Sequence, residues 1–169
     1  ADQGNDIGGT ATGTGNQILN FGGGAATNPS AGIRTLAQYG INIRFNTVNN
    51  NNGSGVNHAT TLRGIYLNTA TSASATVSDN TVTMASGATS SLLSAIENVS
   101  GSTAASNTIN INSNTIRLAY TTATSGLMAA ITNSSTAAAV NINSNNIQGV
   151  ASTNYPSNGT VPLIVGGSP

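Results

Sequence analysis

The chain has 169 residues, enough to bury one substantial core, and a single domain is the simplest organisation at that length. Only 5% of the residues are charged, and four Arg without any Lys balance four acidic side chains to a formal net charge of zero, which leaves no electrostatic footprint for nucleic acid or an anionic membrane. Cysteine is absent, excluding disulfides and thiolate metal sites, and no apolar run approaches the ~20 residues that insert across a bilayer.

In chain order, residues 1–15 (ADQGNDIGGTATGTG) carry no targeting signature and are expected to form an N-terminal extension or cap on a domain spanning 16–169, the whole being a segment of a longer, processed protein. Asn16-Gln17-Ile18 is a faint first copy of a motif that returns later. The Gly-rich NFGGGAATNPS (20–30) lacks the Lys and the strand-to-helix context of a phosphate loop, so a turn or an N-terminal cap is expected. INIRFNTV (41–48), ATVSDNTV (75–82), ININSNTI (109–116) and VNINSNNI (140–147) then align on a shared Asn-x-Val/Ile ending. Ser/Thr/Gly/Asn-rich connections separate them, with longer loops expected at 49–61 and 151–160.

The repeat is the decisive signal. Val48, Val82, Ile116 and Ile147 recur at intervals of 34, 34 and 31 residues. Five positions before each stand Ile43, Val77, Ile111 and Ile142, and seven before stand Ile41, Ala75, Ile109 and Val140. Two before each is asparagine: Asn46, Asn80, Asn114 and Asn145, with Asn16 in the faint copy. Ile33, Ile65, Ile96, Ile131 and Ile164 form an independent column, usually preceded by Gly or Ala. Each copy therefore holds at least two short strand-like runs. Period-two alternation sends Ile109 and Ile111 inward and Asn110 and Asn112 outward. At the turn the carboxamide of Asn114, with a donor and an acceptor, is suited to bond turn backbone and also Asn80 on one side and Asn145 on the other.

The connections lack the 3.6-residue apolar period of helical solenoids. A leucine-rich repeat shares the L-x-L-x-x-N-x-L core, but its earlier Leu would fall on Gln38, Ser72, Ser106 and Ala137, none of them a large apolar residue. Parallel stacking of strand-turn-strand coils meets the pattern: an all-β solenoid of about five coils with a repeat of about 30–35 residues. On SDNTV, NSNTI and NSNNI with LRGIYL, LLSAIENVS and LMAAITNSS, the chain resembles right-handed parallel β-helix repeat proteins, closest to repetitive secreted or cell-surface proteins of Gram-negative bacteria. That resemblance implies secretion or surface display.

Some β-helix families act on polysaccharides through clustered carboxylates. Here Asp2 and Asp6 fall near the terminus, Asp79 at a turn, and Glu97 on an outward position suited to solvent or a surface ion pair. His58 sits in a loop without an acidic or second His partner in sequence. No catalytic residue, metal site or cofactor is expected. The outward files containing Asn110, Asn112, Asn141 and Asn143 suggest a flat polar face that would bind a surface glycan, or order water as in ice-binding solenoids, although T-x-T pairs are absent from it and Arg44 interrupts it. Scattered aromatics include Tyr66 and Tyr120, expected in loops. N-glycosylation triplets at Asn52, Asn98, Asn133 and Asn158 carry little weight in so Asn- and Ser-rich a chain. The sequence thus points to a non-enzymatic extracellular structural or adhesive module, a filament former if its coil ends self-associate, with a carbohydrate-binding or polysaccharide-processing β-helix as the alternative.

Overall fold

Each repeat contains one more strand than its apolar runs alone announce, because the Asn turn divides the motif in two. The computed structural model describes residues 2–23, 28–50, 58–71, 73–87, 90–102, 106–120, 126–149 and 164–166. The chain opens with β1 (Asp2–Gln3), β2 (Asp6–Gly8), β3 (Gln17–Leu19) and β4 (Ser30–Thr35). The second coil holds β5 (Gln38–Tyr39), β6 (Ile41–Arg44), β7 (Thr47–Asn49) and β8 (Leu62–Leu67). Then come β9 (Ala75–Ser78), β10 (Thr81–Ser86) and β11 (Leu93–Asn98), followed by β12 (Thr108–Asn112), β13 (Thr115–Tyr120) and β14 (Met128–Asn133). Last are β15 (Ala139–Asn143), β16 (Asn146–Gly149) and β17 (Ile164–Gly166).

Three five-stranded sheets run along the molecule: β2-β6-β9-β12-β15, β3-β7-β10-β13-β16 and β4-β8-β11-β14-β17, with β1 and β5 as a small extra pair. All pairings are parallel and no helix occurs among the described residues, so the protein is an all-β parallel β-helix. The solenoid makes about four turns rather than the five expected. Five strands in a column bound only four intervals, so counting markers overstates the turns by one.

The repeat columns stack in register. Ile18, Val48, Val82, Ile116 and Ile147 are successive partners in the second sheet, as are Ile33, Ile65, Ile96, Ile131 and Ile164 in the third. Ile43, Val77, Ile111 and Ile142 do the same in the first sheet, and Ile7 extends that column one coil further. Residues 2–8, in the expected N-terminal extension or cap, pair in parallel with β5 and β6.

These columns meet in one core between the three sheets, with Ile43, Ile65, Ile96, Ile111 and Ile116 fully buried. Each such side chain contributes about 1.5–3 kcal/mol relative to exposure. In the third sheet Gly64, Ala95 and Ala130, the small residues before Ile65, Ile96 and Ile131, are buried together with those Ile residues, so alternation slips by one at that point. A Cβ on Gly64 would lie 2.5 Å from the Ala95 carbonyl oxygen and 2.6 Å from Val82 Cγ1, which is why the smallest side chain stands there.

Between the first and second sheets the chain turns on two residues. Phe45, Asp79, Ser113 and Ser144, one per coil, adopt the left-handed conformation with φ of 60°, 58°, 57° and 55°. The asparagine follows. Asn80 shows the bonding: its backbone N–H and its Nδ2 both donate to Asn114 Oδ1 at 3.0 Å, while Nδ2 also donates to Ile43 O at 2.8 Å. Asn46 and Asn114 repeat this toward Asn80 and Asn145, with Ile7 O and Val77 O as the backbone acceptors. Asn16 donates to Asn46 Oδ1 in the same way. Asn46, Asn80 and Asn114 are buried, so the ladder satisfies turn groups that water does not reach.

The left-handed residue costs about 1–2 kcal/mol when it carries a Cβ, more with a branched one. Ser113 is exposed, so its side chain has little packing to lose. Ser113→Val is expected to lower stability by about 1–2 kcal/mol and Ser113→Gly to leave it within about 0.5 kcal/mol. Urea unfolding of both variants checks this; equal losses would show that the backbone conformation is not the cause.

Candidate functional site

Asn110 and Asn112 on β12 lie directly beside Asn141 and Asn143 on β15. The four side chains do come together on the outer face of the first sheet. Their amides bond mainly along the solenoid axis: Asn141 Nδ2 donates to Asn110 Oδ1 at 2.9 Å, and the Asn143 backbone N–H donates to Asn112 Oδ1 at 3.1 Å. Further toward the first coil Asn42 Nδ2 donates to Asp6 Oδ1 at 2.8 Å, and Arg44 lies 3.7 Å from the same oxygen. The face is thus stitched between coils, leaving fewer amide groups for a ligand than the sequence suggests.

The four carboxylates occupy separate places. Asp2 and Asp6 lie on β1 and β2, and Asp79 is the exposed left-handed turn residue. Among the described residues no group of three or more His, Cys, Asp or Glu side chains is close enough to hold a metal ion. His58 is fully buried rather than an ordinary loop residue: its Nδ1 lies 3.2 Å from Gly23 O, and its own carbonyl accepts a hydrogen bond from Ser86 Oγ. It ties the segment entering β8 to the Gly-rich stretch before β4.

Glu97 departs most from expectation. It stands in the outward column of the third sheet, yet it is only 8% exposed. Arg63, one coil earlier, reaches across it, with Nε donating to Oε2 at 2.6 Å and Nη2 to Oε1 at 3.3 Å. The Arg63 guanidinium carbon also sits 4.4 Å from the centre of the Tyr66 ring, whose hydroxyl donates to Asn68 Oδ1 at 2.9 Å. Tyr66 is therefore a strand residue on β8, and Tyr120 likewise belongs to a strand, β13; neither lies in a loop.

A second, shorter asparagine stack was not read from the sequence. Asn98 and Asn133, successive partners in the third sheet, are buried, and Asn98 Nδ2 donates to Asn133 Oδ1 at 2.7 Å. Asn98 Oδ1 accepts from both N–H and Oγ of Ser100. The Asn98 glycosylation triplet is thus a turn-forming unit, and Asn133 stacks on it. Their signal was present: both asparagines lie two positions after the Ile96 and Ile131 column. Asn50, also buried, clips onto β10 by exchanging hydrogen bonds with Ala85 N–H and O. The triplets at Asn52 and Asn158, most of the 49–61 loop and the 151–160 loop lie outside the described residues. In comparisons with protein-family models, curated proteins and solved structures, the chain matches none.

Proposed function

We propose that this chain is a non-enzymatic structural module of a secreted or cell-surface protein, and that its coils stack end to end on those of a second copy. One observation carries the proposal: the asparagine ladder has a direction. Asn16, Asn46, Asn80 and Asn114 each donate through backbone N–H and Nδ2 to the Oδ1 of the next coil, so Asn16 Oδ1 has no donor and the Asn145 N–H has no acceptor among the described residues. An acceptor at the first coil and a donor at the last are complementary in head-to-tail contact and mismatched head to head.

The apolar columns support the same arrangement. Ile7 and Ile18 at one end, and Val140, Ile142 and Ile147 at the other, are only partly buried, whereas their partners in the middle coils are fully buried. Stacking would extend each column by one step of about 4.8 Å, with edge strands pairing as they do between coils. A head-to-tail contact of this kind does not close, so it yields linear assemblies. The inter-coil bonding of the outer Asn110, Asn112, Asn141 and Asn143 amides also favours a register-keeping role for that face over recognition of a glycan.

Sedimentation velocity across a concentration series tests this. The expected result is an open-ended series of sizes growing with concentration and reduced by Asn16→Leu, which removes the acceptor at an exposed position. A single monomer at all concentrations, or a series that stops at dimer, would overturn it.

A further inference from the structure

Of the four arginines in the chain, Arg34 and Arg63 line the same cleft, about 310 Å³ in volume, on the outer side of β4 and β8. Pro29, Ala31, Ser30, Tyr66 and Asn68 complete it. Arg63 has its Nε and Nη2 engaged by Glu97, leaving Nη1. Arg34 is exposed and makes no ion pair or hydrogen bond with any described residue. Asn68 has its Oδ1 occupied by the Tyr66 hydroxyl and the Thr69 N–H, so its Nδ2 is left to donate. Ser30 brings a hydroxyl to the same lining. The wall therefore presents a surplus of donors around a planar cation whose charge nothing in the cleft neutralises.

From this juxtaposition we infer that the cleft binds a small hydroxylated carboxylate, the class represented by the acidic residue of a saccharide. Arg34 supplies a planar fork that matches a carboxylate with two parallel N–H···O bonds. Asn68 Nδ2 and Ser30 Oγ lie where ligand hydroxyls find a donor and a donor–acceptor. Pro29 and Ala31 offer small apolar surface to the ring carbons. The charge balance selects the anion. Glu97 already offsets Arg63, so the cluster carries one net positive charge, which matches a monoanionic carboxylate and leaves a dianionic phosphate uncompensated. The inference is independent of end-to-end stacking, since the cleft opens on the side of the coils.

Titration of the full chain with D-glucuronate, followed by NMR shift changes or calorimetry, tests the assignment. Expected are saturable binding that weakens as salt rises, at least about tenfold weaker binding of D-glucose, which lacks the carboxylate, and at least about tenfold loss in Arg34→Gln. Arg34→Lys should fall between, keeping charge but not the fork. Because Arg34 is exposed and unbonded, its variants should melt as the parent does, so a lost signal reports binding and not unfolding. Absent binding, equal affinity for glucose, tighter binding of inorganic phosphate than of glucuronate, or an Arg34→Gln variant that binds unchanged would each overturn the assignment.

Discussion

Replacing Asn114 by Leu is expected to cost about 3 kcal/mol of folding stability and to lower the melting midpoint by roughly 10 °C. The side chain makes four hydrogen bonds in a fully buried turn: its Oδ1 accepts from the N–H and Nδ2 of Asn80, and its Nδ2 donates to Val77 O and Asn145 Oδ1. A leucine of similar size fills the space but leaves the Asn80 N–H without an acceptor, and a buried unsatisfied group costs about 1–3 kcal/mol on its own. Position along the ladder sets the size of the effect. Asn16 is exposed and loses one side-chain donor bond on the same change, so Asn16→Leu should cost less than about 1 kcal/mol. Equal losses at the two positions in thermal or urea unfolding would contradict the ladder's role.

Asn114→Asp adds a test with a sign. The new carboxyl would keep one acceptor oxygen toward Asn80 and turn the other toward two acceptors, Val77 O and Asn145 Oδ1. Burial and that lone-pair repulsion both disfavour the charged form, raising its folded pKa above the unfolded value of about 3.9. A raised folded pKa means that the variant is most stable below the unfolded value and loses stability as pH rises through the folded one. The deficit relative to the parent should therefore be larger at neutral pH than at about pH 4.

What the sequence disclosed and what it withheld divide along one physical line. Val48, Val82 and Ile116 could be placed over one another because stacked coils put like residues in like environments, so position in the repeat encodes position in space. The ladder asparagines were legible for the same reason. The first strand of the first coil was not: Ile7 stands under Ile43, but DIGGTATG shares nothing else with INIRFNTV, since an end coil has only one neighbour to match. The turn at Asp79 and Asn114 was legible, but the strand beyond it was not counted apart, because the left-handed residue that divides the motif is Phe, Asp, Ser or Ser, with no glycine to mark a full break.

The charged cluster was hidden for a different reason. Arg63 and Glu97 are 34 residues apart and occupy neighbouring columns, so neither column shows the pairing when read alone. Register predicted that Glu97 points outward and said nothing of how far Arg63 bends to cover it. His58 belongs to the same class. Its burial depends on Gly23 and Ser86, which come from coils on either side, and a loop histidine carries no trace of them.

Removing the Glu97 carboxylate should cost about 2–3 kcal/mol, whereas the paired change Arg63→Met with Glu97→Leu should recover most of that loss. Side-chain exposures of 17% for Arg63 and 10% for Glu97 place both groups largely out of water. The net worth of such a pair is small, because its mutual attraction does little more than offset the desolvation of both ions. Breaking it alone is costly, since Glu97→Ala leaves a cation beside Tyr66 with neither its carboxylate nor full solvent; the loss stays below that of a fully buried pair because Arg63 retains a path to water. Urea unfolding of the single and double variants separates the cases, and an unchanged midpoint for Glu97→Ala would show the pair to be a surface contact. The same variant bears on the cleft. With Glu97 gone, Arg63 regains its whole fork and the cluster carries a second net positive charge, so preference should move from a monoanionic carboxylate toward a dianionic phosphate. Stability would fall while anion affinity rose, a combination that a purely structural ion pair does not produce.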